Sequence, residues 1–118
     1  MMSGRSTFFD ETWQRTDYCG TVGKEHLGKK IVLNGWVRKR RDLGGIIFID
    51  LWDHTGCVQV VFNPERRPDA HALAGDLRSE FVIAVAGSVG ERPEGTCNAA
   101  MATGDFEVTA EEILRLSP

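Results

Sequence analysis

Residues 35–62 read Gly-Trp-Val-Arg-Lys-Arg-Arg-Asp-Leu-Gly-Gly-Ile-Ile-Phe-Ile-Asp-Leu-Trp-Asp-His-Thr-Gly-Cys-Val-Gln-Val-Val-Phe, which predicts three consecutive strands joined by two glycine-bearing turns. Period-two alternation in the middle strand puts Ile47, Ile49 and Leu51 on one face and Ile46, Phe48, Asp50 and Trp52 on the other. A face that mixes aromatics with a carboxylate is not a core face. In the third strand Val58, Val60 and Phe62 alternate with Cys57, Gln59 and Val61, so Phe48 and Gln59 are expected to share an outward surface. A flat ring, an amide with donor and acceptor, and nearby guanidiniums are tools for holding an unstacked nucleobase and its phosphate.

The rest of the chain supplies a frame. Ile31 to Arg40 reads as the first strand, with Ile31, Leu33, Gly35 and Val37 on one face and a bend or bulge expected at the glycine. Thr21 to Gly28 reads as a short turn or helix with Leu27 inward. Asn63 to Pro68 breaks the pattern, and Asp69 is expected to cap a helix with the stripe Ala70, Leu73, Ala74, Leu77. A fourth strand runs from Phe81 to about Val89. After the loops at 90–96 and 98–104, a fifth begins near Asp105, with Phe106 and Val108 flanking an outward Glu107. Five strands with a helix between the third and fourth is the order of an OB-fold, an all-β Greek-key barrel with one intervening helix. That fold binds on the face of strands two and three, framed by the loops after strands one and four, where the arginine cluster, Phe48, Gln59 and Arg92 occur.

Bulk properties narrow the function. A chain of 118 residues makes one domain over 18–118, preceded by an extension at 1–17 whose Phe8, Phe9 and Trp13 fit one side of a short helix. The apolar run Ile46–Ile49 is too short to span a bilayer, and the start Met1-Met2-Ser3-Gly4-Arg5 resembles no signal peptide, so a cytoplasmic protein with no membrane partner is expected. Net charge is −3, which argues against coating nucleic acid through charge alone. Yet Arg38, Lys39, Arg40 and Arg41 are contiguous, a local basic rim suited to a short RNA segment. Cys19, Cys57 and Cys97 form no Cys-x-x-Cys pair, and His26, His54 and His71 are scattered, so free thiols and no metal are expected.

Several stretches resemble a known family, the N-terminal anticodon-binding domain of bacterial-type aspartyl-tRNA synthetase. They are Tyr18-Cys19-Gly20, Leu33-Asn34-Gly35-Trp36-Val37, Arg40-Arg41-Asp42-Leu43-Gly44-Gly45, Phe48-Ile49-Asp50, Gly56-Cys57-Val58-Gln59-Val60-Val61-Phe62 and Ala102-Thr103-Gly104-Asp105-Phe106-Glu107-Val108. The resemblance implies that Phe48 stacks on the middle anticodon base, uracil, that Gln59 bonds anticodon base edges, and that Arg41 contacts a base or phosphate. It also implies that Arg92 and Glu107 read the flanking bases, with Arg38 and Arg40 as lesser phosphate contacts. Aspartate tRNA and a catalytic domain of the same protein are the implied partners. ATP, magnesium and homodimer formation belong to the full-length enzyme. No catalytic residue or cofactor site is expected within these 118 residues, because neither a phosphate loop nor a nucleophile-base pair is present. The competing reading is a free-standing OB-fold protein that binds single-stranded nucleic acid without preference. A structural dimer module is a third reading, disfavoured by the mixed character of the Phe48 face.

Overall fold

The turn at Gly44-Gly45 sets the first hairpin. Both glycines adopt positive φ, 62° and 88°, and Leu43 pairs with Ile46 across them, the two-residue connection whose twist matches that of the flanking strands. A computed structural model describes residues 15–78, 81–92 and 104–117. It shows β1 (Lys30–Leu43), β2 (Ile46–Asp53), β3 (Gly56–Phe62), α1 (Pro68–Ala74), β4 (Val82–Glu91) and β5 (Phe106–Ser117). They form a closed barrel in the order β1-β2-β3-β5-β4, with β4 returning to β1. All pairings are antiparallel except β3 with β5. Closure gives every strand a partner on both sides over part of its length.

The long first strand is shared between two neighbours: residues 30–36 pair with β4 and residues 36–43 with β2. Gly35 sits at the corner, where an added Cβ would lie 2.3 Å from the Trp52 carbonyl oxygen. The expected bulge is present but displaced, between Val37 and Lys39, with Arg38 the extra residue. Gly35 is needed there for the close approach of β2.

Alternation in β2 holds throughout: Ile47, Ile49 and Leu51 are buried while Ile46, Phe48, Asp50 and Trp52 are half-buried on the outer face. Inside the barrel they meet Leu33, Val37, Val58, Val60, Phe62, Ile83, Val85 and Val108. The helix differs from expectation. It begins at Pro68 behind Arg67, so Asp69 lies within the first turn, where it accepts from the Ala70 N–H at 3.0 Å and pairs with Arg67 Nε at 3.7 Å. Ala70 and Ala74 are buried, as is Leu77 just beyond the helix, whereas Leu73 is 53% exposed. At 100° per residue, Leu73 lies off the narrow seam that two alanines one turn apart press onto the barrel. The helix also braces the hairpin: His71 Nε2 lies 2.6 Å from the Gly45 carbonyl oxygen.

At the opposite end, the 3-10 turn Cys19–Thr21 docks on the β2–β3 turn. Asp53 accepts the Cys19 N–H at 2.8 Å and the Thr55 N–H and hydroxyl at 2.8 and 2.6 Å, and the Thr55 hydroxyl accepts the Gly20 N–H at 2.8 Å. Tyr18-Cys19-Gly20 is thus a docking segment. Burial pushes the Cys19 thiol up, reinforced by the Asp53 charge, so it is not a reactive thiolate at neutral pH. Burial alone would raise Asp53, but the Thr55 and Cys19 hydrogen bonds outweigh it and hold the carboxyl below the usual range. The sign follows: this stabilisation is complete above the unfolded value of about 3.9 and is lost as pH falls through the lower folded value. Asp53→Asn turns an N–H toward donors and is expected to cost about 1–3 kcal/mol at neutral pH. Urea denaturation between neutral pH and pH 3 checks it: the gap between the two proteins should narrow toward acid.

The candidate helix over Phe8–Trp13 and the thiol of Cys97 lie outside the described residues. Arg15 to Asp17 do not: the Thr16 N–H donates to the Val32 carbonyl at 2.9 Å, and its hydroxyl accepts the Val32 N–H, also at 2.9 Å.

Candidate nucleic-acid interface

Register builds the site. Lys39 pairs with Asp50, Asp50 with Gln59, Gln59 with Glu107 and Glu107 with Gly90, so a single rung crosses all five strands. The next rung carries Arg41, Phe48, Val61 and Thr109. Directly paired residues project from the same side of a sheet, so the polar rung lies beside the Phe48 ring.

The side chains on these rungs are joined. Gln59 Oε1 accepts from Arg41 Nη2 at 3.0 Å and from Arg92 Nη2 at 2.9 Å, while Gln59 Nε2 donates to Glu107 Oε1 at 3.1 Å. Arg41 Nη2 also donates to Asp50 Oδ1 at 3.2 Å. The amide orientation follows from this pattern, because guanidiniums only donate and a carboxylate only accepts. Gln59 is therefore not open to solvent as expected: it lies on the Phe48 face but is only 4% exposed.

Arg92 is the least satisfied member. Its Nε and Nη1 are buried with no hydrogen-bond partner among the described residues. Burial pushes the Glu107 carboxyl above its ordinary range, although the Gln59 bond and the Arg92 charge pull it down. What the arrangement can do follows: two arginines offer donors, Glu107 offers an acceptor, and a half-buried ring lies alongside.

The structure thus brings together Arg41, Phe48, Gln59, Arg92 and Glu107, from β1, β2, β3, the residue after β4, and β5. It separates the two lesser candidates. Arg40 pairs with Ile49, so alternation turns it off the Phe48 face, and its Nη1 donates to the Gly75 carbonyl at 3.3 Å. There it meets the partial negative charge of the α1 C-terminus and not the interface. Arg38 stays by the face, its guanidinium carbon 5.2 Å from the Trp52 ring centroid. Asp50, on the outer face of β2, holds Arg41. The signal was available in the hairpin register, which places Asp50 one rung from Arg41.

Residues 31–116 match the family model described as tRNA anti-codon, OB-fold nucleic acid binding domain. The chain belongs to this family. It is 53% identical over 104 residues to the aspartate–tRNA ligase of Listeria monocytogenes serotype 4a, covering 88% of this chain and 18% of that protein. It is 49% identical over 105 residues to the aspartate–tRNA(Asp/Asn) ligase of Syntrophotalea carbinolica, covering 89% of this chain and 18% of that protein. Among solved structures, the asparaginyl-tRNA synthetase of Pyrococcus horikoshii superposes with a TM-score of 0.75 at 29% identity, over 89% of this chain and 23% of that one. The chain therefore spans about a fifth of the length of these ligases, and its resemblance to the N-terminal domain of bacterial aspartate–tRNA ligases is borne out.

Proposed function

We propose that this OB-fold domain reads the anticodon loop of a tRNA, aspartate tRNA by its likeness to aspartate–tRNA ligases, as part of a longer ligase. ATP-dependent aminoacylation would then lie outside these 118 residues. The observation that carries the reading is the network beside Phe48, in which Gln59 is held by Arg41, Arg92 and Glu107 while Arg92 Nε and Nη1 have no hydrogen-bond partner among the described residues. A generic single-strand binder needs stacking platforms and positive charge. It gains nothing from an amide oriented by two arginines and a glutamate, whereas a base-selective site does.

The division of labour is physical. Phe48 supplies stacking, which every base provides and which cannot identify one. Identity comes from Arg41, Arg92 and Glu107 around a fixed Gln59, because a wrong base leaves a buried donor or acceptor unpaired at about 1–3 kcal/mol. Phe48→Ala is expected to weaken anticodon stem-loop binding by about one to two powers of ten, corresponding to about 1–3 kcal/mol. The loss should be similar for aspartate, asparagine and lysine anticodons. Titration of the three stem-loops at fixed salt checks it; equal wild-type affinity for all three and for an unrelated single strand would favour the non-selective binder.

A further inference from the structure

Four glycines lie in the described strands, and three of them have a reason within the chain. A Cβ at Gly35 would stand 2.3 Å from the Trp52 carbonyl oxygen, one at Gly87 would stand 2.4 Å from the Thr109 carbonyl oxygen, and Gly56 has a φ of 138°. Gly90 has neither reason. Its φ lies outside the left-handed region, and no described atom comes within 4 Å of a Cβ built on it. Glycine weakens a strand, and its use inside one marks a bulge or the close approach of another backbone or a ligand. The β4–β5 register runs without a shift from Gly87 to Glu91, so no bulge accounts for it.

The place of Gly90 points to the ligand. Val89 is buried in the core, so position 90 faces outward, at the end of the polar rung and opposite Glu107. Arg92 lies two residues on, and its N–H donates to the Asp105 carbonyl at 3.0 Å, which extends the pairing past β4. On the other edge of β4 the chain neighbour is Gly28, whose N–H donates to the Val89 carbonyl at 2.9 Å and which also brings no side chain. The rung therefore ends in bare main chain bordered by a carboxylate and a guanidinium. We infer that Gly90 is the floor of a second base seat, in which a nucleobase flanking the one on Phe48 lies against the β4 main chain with its edge toward Glu107. This rests on the anticodon reading above and deepens it: Glu107 supplies the polar contact, and the missing side chain supplies the room.

The test compares the 118-residue chain with Gly90→Ala and Gly90→Val, first in thermal melts without RNA. Both variants should melt at or above the parent, because a strand gains from either residue where nothing is displaced. A lower melting temperature would show that the chain itself fills the space, and would overturn the inference. Against a stem-loop with the aspartate anticodon at fixed salt, Gly90→Val should bind about tenfold more weakly, and Gly90→Ala should lose less. Two further RNAs carry an abasic nucleotide at one or the other flank of the middle anticodon base. The RNA that lacks the seated base should bind parent and Gly90→Val alike, whereas the other should keep the gap between them. Parental affinity in Gly90→Val, or a gap that survives in both abasic RNAs, would sink the seat. Phe48→Ala keeps the two readings apart. If it cripples binding while Gly90→Val binds as the parent does, the anticodon reading stands and the seat falls; if Phe48→Ala binds normally, both fall.

Discussion

Gln59→Leu is expected to unfold at markedly lower temperature than the parent and to lose discrimination between anticodons. Leucine nearly matches glutamine in volume, so the change opens little cavity at a position 4% exposed. What it removes is chemistry. Arg92 loses the acceptor at 2.9 Å, Glu107 loses the donor at 3.1 Å and Arg41 loses one of its two acceptors among the described residues, keeping Asp50. Each buried polar group stranded this way costs about 1–3 kcal/mol, so a net loss of roughly 2–3 kcal/mol is reasonable for groups that can partly turn to water. In a domain of this size that lowers the melting temperature by about 10–20 °C. Glu107 should also titrate higher than in the parent, since burial remains and the Gln59 bond is gone. Thermal melts paired with stem-loop titrations check the two effects together. A variant with parental stability and intact preference would show that the network neither braces the barrel nor selects the base.

Gly35→Ala is expected to be the most damaging single methyl group that can be added to β1. Its Cβ would stand 2.3 Å from the Trp52 carbonyl oxygen and 3.1 Å from Leu51 Cγ. The oxygen belongs to backbone, and Leu51 is fully buried, so neither can swing aside cheaply. Overpacking in a close-packed core costs typically 1–3 kcal/mol and occasionally more, and the upper end, about 3 kcal/mol, fits a clash against a main chain. Because Trp36 and Trp52 pair immediately beside this corner, relief by sliding β2 would disturb the outer face as well. Equilibrium urea unfolding is the measurement; a midpoint within error of the parent would mean that β1 and β2 separate at this corner more easily than the register implies.

The barrel was legible because residues 46–62 carry an almost uninterrupted two-residue alternation, and because Gly44-Gly45 leaves the hairpin little choice of turn. Placing the first bulge was harder. A glycine within a strand signals either a bend or a close approach, and only the pairing of β1 with two partners shows that Gly35 serves the approach while Arg38 makes the bulge. Leu73 fooled the helical stripe, since a helix of seven residues packs through Ala70 and Ala74 alone. At the site, alternation was enough to put Phe48 and Gln59 on one face. Burial of Gln59 was not legible, because its partners Arg41 and Arg92 come from 18 and 33 residues away in the chain. Arg40 shows the converse limit: within a run of four basic residues, alternation sends neighbours to different sides, and the helix end that receives Arg40 is set by tertiary packing.

The rung through Lys39, Asp50, Gln59, Glu107 and Gly90 takes one residue from every strand, and its last side chain arrives with β5. A growing polypeptide that has completed β1 to β4 holds Arg41, Gln59 and Arg92 but lacks the carboxylate that orients the amide. The parallel pairing of β3 with β5 also closes the barrel, so closure and completion of the polar network are a single event. On the proposed anticodon reading, a chain whose β5 has not docked would keep the Phe48 ring but lack the Glu107 acceptor and the fixed Gln59 amide on which base selection depends.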